Sequence, residues 1–388
     1  MNRQTDRVDQ ETKDTVAGKR KHKIQKILLI IGLTIIVLLL IAVLVLCVMI
    51  IQGKNKVKSD NTEVQNVISV VNNTVADTQD EPYDYEEYGQ NYVYYNGKKY
   101  KYNDNISTIL FAGIDRRSSD NTTDMIYTAG QADCVMVLAI DRLSGDYKLI
   151  AVSRDTMVDV DVFNRNGDYV DVEKQQLCLA YGYCDGKEKS CENLKRSVSR
   201  ILFGIPINSY VAVDLDVISI LNDKVGGVTV EIPEDLTKFD PTMTKGRKLT
   251  LDNKQAEVFV RARDIYGDEY QNDLRMARQK VYIKGFITKA LDLTKQDITV
   301  PIQMYESVSD YLVTDIDVSM ISYYTCLFLK NDFSADKNMV KVPGQAVGGE
   351  KYAEYYVDTD ELLDMVIDIF FVEIKWCAID VLREKGEF

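Results

Sequence analysis

The chain of 388 residues contains one histidine, His22, and it precedes a long apolar run. Everything after that run is therefore without histidine. This excludes a Ser-His-Asp or Cys-His nucleophile system and histidine-ligated zinc from the larger part of the protein. Positive charge is also in short supply, with a net charge of −13. A phosphate backbone needs a basic face, so nucleic acid is not an expected partner. Internal repeats are absent, which argues against a solenoid. The chemistry left open belongs to carboxylates, arginines, lysines, tyrosines and cysteines.

Residues 27–51 form an unbroken stretch of 25 residues without a charge. About 20 apolar residues span a bilayer core, so this stretch predicts a transmembrane helix. A cleavable leader has an apolar region of roughly 7–15 residues and ends in small residues, and VMIIQGK offers no such site. The preceding GKRKHKIQK is more basic than the following KNKVKS. The positive-inside rule then places 1–26 in the cytoplasm and the remainder outside the cell membrane. Residues 52–100 are polar, acidic and tyrosine-rich towards their end. They predict a linker or stalk, poorly ordered to about residue 85, with the tyrosine run packing on a domain edge as a short strand.

Strands and helices alternate from residue 106. ISTILFAGI (106–114) reads as a buried strand, and DCVMVLAID (133–141) with YKLIAVS (147–153) reads as an antiparallel hairpin. Helical spacing marks 191–204, 217–227, 251–263 with Asp252 as N-cap, and 272–293. Strands are expected at 210–215 and 228–232. The pattern predicts an α/β fold, a mixed central sheet with helices on both faces. Its core is expected at 101–295. The extension 296–388 is expected to complete the same domain, with a helix beginning near Thr359.

Charged residues gather where these elements end. Asp115 and Arg116 follow the first strand, Asp133 opens the second, and Arg154 and Asp155 follow the third. Arg261 and Arg263 close one helix. Arg275, Arg278 and Gln279 lie at spacings of three and four on the next, and so share a face. Arginine forks match phosphate oxygens. Mg²⁺ takes one or two carboxylates and completes its shell from water and phosphate. The set therefore suits a pyrophosphate with a hard divalent cation.

The stretches ILFAGIDRR, ADCVMVLAID, LIAVSRDTMVDV, LAYGY, RILFGIPINSYVAVDLDVISILNDKVGGVTVEIPEDL, GRKLTLDNKQAEVFVRARD and NDLRMARQKVYIKGF run in that order between about 106 and 292. In this they resemble the LytR-CpsA-Psr family. The resemblance implies an α/β sandwich behind an N-terminal anchor. It implies transfer of a glycopolymer, such as wall teichoic acid or capsular polysaccharide, from an undecaprenyl-pyrophosphate carrier to peptidoglycan, forming a phosphodiester. It makes Asp115 and Asp133 the Mg²⁺ ligands. It makes Arg116, Arg154, Arg261, Arg263, Arg275, Arg278 and Gln279 the pyrophosphate-binding set. Within the site, Arg154, Arg263 and Asp155 are the catalytic residues, and Asp155 is the expected general base.

Two departures from the family pattern stand out. Gln131 occupies a place where many members carry arginine, with Arg116 and Arg117 as local replacements. Asp120 and Asp124 are alternative ligands in the same loop. QLCLAYGY stands where the family often has Lys-Ile-Asn, and Lys174 is the nearest substitute contact. A lipid-pyrophosphate hydrolase and a non-catalytic surface protein binding carrier lipid or wall polymer are the other readings. A transcriptional regulator is not expected, since a cytoplasmic part of about 26 residues is short for a helix-turn-helix unit and the rest is acidic. Cys178, Cys184 and Cys191 lie close in sequence, and Cys184 with Cys191 would close DGKEKS as a disulfide or remain as thiols.

Overall fold

The computed structural model describes residues 41, 43–57, 61–78, 92–116, 129–262, 271–348 and 353–374. Residues 43–56 are helical (α1). Most of the predicted span 27–51 lies outside the described residues, among which no helix is long and apolar enough to cross a membrane. A Cβ on Gly53 would meet the Ser319 carbonyl oxygen at 2.2 Å, so α1 passes that backbone too closely for any side chain. At its end the Val57 carbonyl accepts a hydrogen bond from Arg142.

Residues 61–78, expected within the linker, form helix α2 (Asn61–Thr78) instead. Val67, Ile68, Val71 and Val75 recur at spacings of three and four, and all four are buried in the main core. The tyrosine-rich end forms a hairpin of β1 (Val93–Tyr95) and β2 (Lys98–Tyr102). Its turn places Asn96 and Gly97 at φ 50° and 71°, the conformation for which Asn-Gly is suited.

The central sheet begins with β3 (Ile106–Ile114), β4 (Ala132–Asp141) and β5 (Tyr147–Val152), an antiparallel meander. A second hairpin, β6 (Met157–Phe163) and β7 (Tyr169–Gln176), stands apart from the sheet. Helices α3 (Leu179–Gly182) and α4 (Glu188–Ile201) lead to β8 (Ser209–Asp214), which pairs parallel to β3. Helix α4 stops three residues before the expected glycine. The Gly204 N–H reaches back to the Ser199 carbonyl at 2.8 Å, while Phe203 takes the left-handed conformation at φ 54°.

A subsidiary layer follows. It holds α5 (Asp216–Lys224), the short pair β9 (Thr229–Glu231) and β10 (Lys248–Thr250), α6 (Asn253–Arg261) and the long α7 (Gln271–Gln296). Its own core centres on Phe259, Ile232, Met243 and Leu251. The C-terminal part supplies α8 (Val300–Val308), β11 (Leu312–Thr314), α9 (Val318–Phe328), α10 (Ala335–Asn338), β12 (Met339–Lys341), the pair β13 (Gly344–Gly348) and β14 (Ala353–Val357), α11 (Thr359–Phe370) and β15 (Phe371–Glu373).

The six-stranded sheet has the order β11-β8-β3-β4-β5-β12 and is mixed. Its residues alternate between faces as a pleated strand requires. Leu110, Ala112, Val135, Val137 and Ile150 meet α2, α4 and α11. Ile109, Met136, Leu138, Ile140 and Leu149 meet α9. Both faces are therefore covered, as expected. Both edge strands, β11 and β12, come from the extension beyond 295, which thus joins the same sheet, and α2 comes from before 101.

Candidate functional site

One end of the sheet carries the charged cluster. β3 runs towards it, and β4 starts from it after the described chain resumes at Ala129. The register shifts between Gly113 and Ile114, so Ile114 pairs with Ala132 while Gly113 pairs with Cys134. A bulge of this kind re-aims side chains at a strand end. The Asp115 N–H donates to the Gln131 carbonyl at 2.9 Å, which holds Asp115 beside the start of β4. The Ala132 N–H donates to the Cys178 carbonyl at 3.2 Å, and the Cys178 N–H to the Arg154 carbonyl at 3.0 Å. Four separate parts of the chain are thus fixed to one another through backbone.

Asp133 lies between two guanidinium groups. Arg154 pairs with its Oδ1, and Arg275 Nη1 lies 3.1 Å from its Oδ2. Arg275 is 3% exposed, Arg154 14% and Asp133 21%. Arg154 makes three further contacts. Its Nε lies 3.5 Å from Asp155 Oδ1, and its Nη2 donates to Gln131 Oε1 at 2.6 Å and to Cys178 Sγ at 3.2 Å. Asp155 is buried and also accepts from Gln176 Nε2 at 3.2 Å, while its backbone carbonyl accepts from Tyr355 at 2.9 Å. Burial pushes the Cys178 thiol up, against the opposing pull of Arg154.

Asp115 is paired with Arg261 Nη2 at 3.3 Å, and Arg261 Nη1 also reaches Glu257 Oε1 at 2.6 Å. Both groups of the first pair are half-exposed. An open groove of about 460 Å³ adjoins Arg261 and is lined by Phe239, Lys254, Glu257, Val258 and Ala262. The α6 helix that presents Arg261 starts with the expected cap: Asp252 accepts from the Gln255 N–H, and Gln255 returns a bond to the Asp252 N–H.

The remaining expected residues serve other contacts. Arg116 Nη2 is 3.0 Å from buried Asp214 at the end of β8, and its Nη1 donates to the Gly186 carbonyl. Arg278 donates to the Phe259 carbonyl at 2.8 Å and to the Ala262 carbonyl, and pairs with Glu234. Gln279 Nε2 reaches the Val260 carbonyl at 3.4 Å. These are the orphan carbonyls at the C-terminus of α6, so both side chains cap that helix. Lys174 lies on β7, its Cα opposite Asp159. Arg263, Arg117, Asp120 and Asp124 lie outside the described residues.

Sequence reading passed over Gln131 and Cys178 as partners of Arg154, and Glu257 as the second partner of Arg261. Only Glu257 left a signal, its spacing of four from Arg261 on one helix. Among the described residues the cysteines are free, and Cys178, Cys184 and Cys191 are buried thiols.

Asp115 and Asp133 fit a magnesium ion by donor chemistry, as hard oxygen donors at neighbouring strand ends. Asp115 is half-exposed, whereas both Asp133 oxygens face guanidinium groups. Among the described residues no group of three or more histidine, cysteine, aspartate or glutamate side chains could form an all-protein cage.

The LytR_cpsA_psr family matches residues 62–367. The polyisoprenyl-teichoic acid–peptidoglycan teichoic acid transferase TagU of Oceanobacillus iheyensis is 26% identical over 276 residues, covering 69% of this chain and 75% of the relative. The transferase TagV of Bacillus subtilis is 26% identical over 223 residues, covering 55% and 50%. The crystal structure of B. subtilis TagV matches with a TM-score of 0.51 at 20% identity, over 68% of this chain and 96% of that one. Protein gbs0355 of Streptococcus agalactiae matches with a TM-score of 0.53 at 17% identity, over 73% and 95%. The two structures share the fold.

Proposed function

We propose that this chain, which belongs to the LytR_cpsA_psr family, attaches a glycopolymer from an undecaprenyl-pyrophosphate carrier to peptidoglycan. The glycopolymer is a wall teichoic acid or a capsule-like polysaccharide. The chain is a transferase, as its relatives are named. It works on the outer side of a Gram-positive cell membrane, held by a single pass at 27–51 with its N-terminus in the cytoplasm. Support for the donor and acceptor comes from the relatives, named for a polyisoprenyl-linked teichoic acid and for peptidoglycan.

The observation that carries the reading is Asp133 clasped by Arg154 and Arg275, with Asp115 and Arg261 beside it. Forming a phosphodiester requires the acceptor hydroxyl oxygen to attack the phosphorus that bears the glycan. The bridging P–O bond breaks, and the lipid monophosphate leaves. Negative charge grows on the phosphoryl oxygens and on the leaving group. Arg154, Arg261 and Arg275 supply preorganised donors for that charge in a partly dry site. Asp115 and Asp133 would hold Mg²⁺, which supplies Lewis-acid neutralisation when bound. Asp155, oriented by Arg154 and Gln176, would accept the hydroxyl proton. Arg263, which follows α6 closely in sequence, belongs to the same set.

The test is incubation of the full chain with a lipid-pyrophosphate glycan, Mg²⁺ and peptidoglycan oligomers, read by product mass. Glycan joined to peptidoglycan through phosphate is expected. Free glycan phosphate would mark a hydrolase, and unchanged donor a binding protein. Arg154→Ala or Arg263→Ala should abolish transfer with circular dichroism unchanged. Full activity in either would sink the assignment.

A further inference from the structure

The Arg154 side chain is enclosed unevenly. Two of its partners, Asp133 and Asp155, are carboxylates, and they take Nη1 and Nε. The other two, Gln131 Oε1 at 2.6 Å and Cys178 Sγ at 3.2 Å, are neutral, and both sit on Nη2. Cys178 is buried and fixed by its backbone bonds to Ala132 and Arg154. Gln131 is exposed, and its backbone is held by Asp115. Among the described residues it is the most exposed of the four contacts on a guanidinium that is 14% exposed. Of an amide's two ends only the oxygen can accept from a guanidinium, so the orientation is settled by chemistry.

We infer that Gln131 is a displaceable cover on Arg154, its amide oxygen holding the position that an anionic phosphoryl oxygen takes on binding. This rests on the functional reading above and adds a residue that sets donor affinity. A neutral acceptor is the chemically apt cover. The Gln131 bond carries charge only on the guanidinium, whereas a guanidinium–phosphate pair carries opposite charges on both sides and can be bidentate, so the exchange runs in the ligand's favour. The cover satisfies Nη2 in the empty site, where an unpaired donor in a partly dry environment is costly. Asp133 and Asp155 meanwhile keep the guanidinium plane fixed while the cover turns away. The cost of displacement is written into donor affinity, so Gln131 tunes binding without touching the reacting atoms.

The test measures binding of inorganic pyrophosphate and of farnesyl pyrophosphate to the full chain in detergent with Mg²⁺, by calorimetry. Three proteins are compared: wild type, Gln131→Ala and Gln131→Glu. Gln131→Ala removes the competitor and should tighten both ligands several-fold. Gln131→Glu replaces a neutral cover with a charged one and should weaken both tenfold or more. An indifferent surface amide would give equal affinities in all three. A residue that binds ligand directly would give weaker binding in Gln131→Ala. Either result overturns the cover. If wild type binds neither pyrophosphate, the functional reading fails, and the cover with it. Binding by wild type with no gain in Gln131→Ala fails the cover alone.

Discussion

Arg275→Leu should expose how the site is held together. Arg275 is 3% exposed, and Nη1 lies 3.1 Å from Asp133 Oδ2. Removing one partner of a buried pair typically costs about 3–5 kcal/mol, because a charge is left behind in a poor medium. Asp133 is 21% exposed and keeps Arg154. The cost should therefore sit lower, at about 2–3 kcal/mol. Leucine retains apolar bulk where the arginine stem lay, so lost packing contributes little. Asp133→Asn removes the charge that faces both Arg275 and Arg154 and should cost a similar amount. The double variant removes both charges at once. It should be less destabilised than the sum of the singles by about 1–3 kcal/mol, the range for groups in direct contact. Urea unfolding followed by circular dichroism measures all four corners of the cycle. Additivity within about 0.5 kcal/mol would mean that the two residues do not interact, and the description of Asp133 as the site's central acceptor would fall.

Three other outcomes are expected. Val67→Ala and Val71→Ala should each cost about 2 kcal/mol, from lost methyl burial plus a residual cavity; values within about 0.5 kcal/mol of wild type would return 61–78 to a stalk. Asp161 is opposed by burial, but Arg200 at 2.7 Å and Arg196 at 2.8 Å prevail and hold its carboxyl below the ordinary range. A depressed folded value adds stability that is present above the unfolded value, about pH 4, and is lost as pH falls through the folded one, so Asp161→Asn should flatten the acid limb of a stability-against-pH curve and leave its alkaline side unchanged. Burial pushes the Cys184 thiol up to about 11 and Cys191 up to about 12. Iodoacetamide at pH 8 should leave both unlabelled until the chain is unfolded, by intact mass; labelling of the native chain at the rate of free cysteine would contradict their burial.

The parts of this fold legible in sequence were those governed by local rules. The strand at Ile106–Ile114 falls where its apolar run falls, and the Asp252 cap pairs with Gln255 as its spacing demands. Helix α2 carries an equally regular stripe, yet asparagines and threonines between its valines lower its propensity and mask it. The β6–β7 hairpin was also passed over, though its alternating VDVDVF and the Asn166-Gly167 turn offered a signal. In the charged cluster, Asp115, Asp133, Arg154 and Arg261 do stand where strands and α6 begin or end. What sequence does not hold is the direction each side chain takes. Arg275 and Arg278 share a helix face by spacing, but one meets Asp133 and the other meets the carbonyls of α6. Arg116 follows the same strand as Asp115 and turns to Asp214. Those choices are made by elements dozens of residues away.

The bond from Arg142 to the Val57 carbonyl fixes where α1 meets the body. Arg142 follows the last residue of β4, and Asp133 sits at that strand's other end. Nine steps of about 3.4 Å separate the ends, so the clasp on Asp133 stands off from the end of α1 by about 30 Å. Gly53 against Ser319, Lys56 on Asp317 and Val57 on Arg142 bind α1 to the body at three points, so the helix and the strand move as one piece. Under the proposed anchoring, the lean of that piece on the surface would set the height at which the clasp meets a carrier.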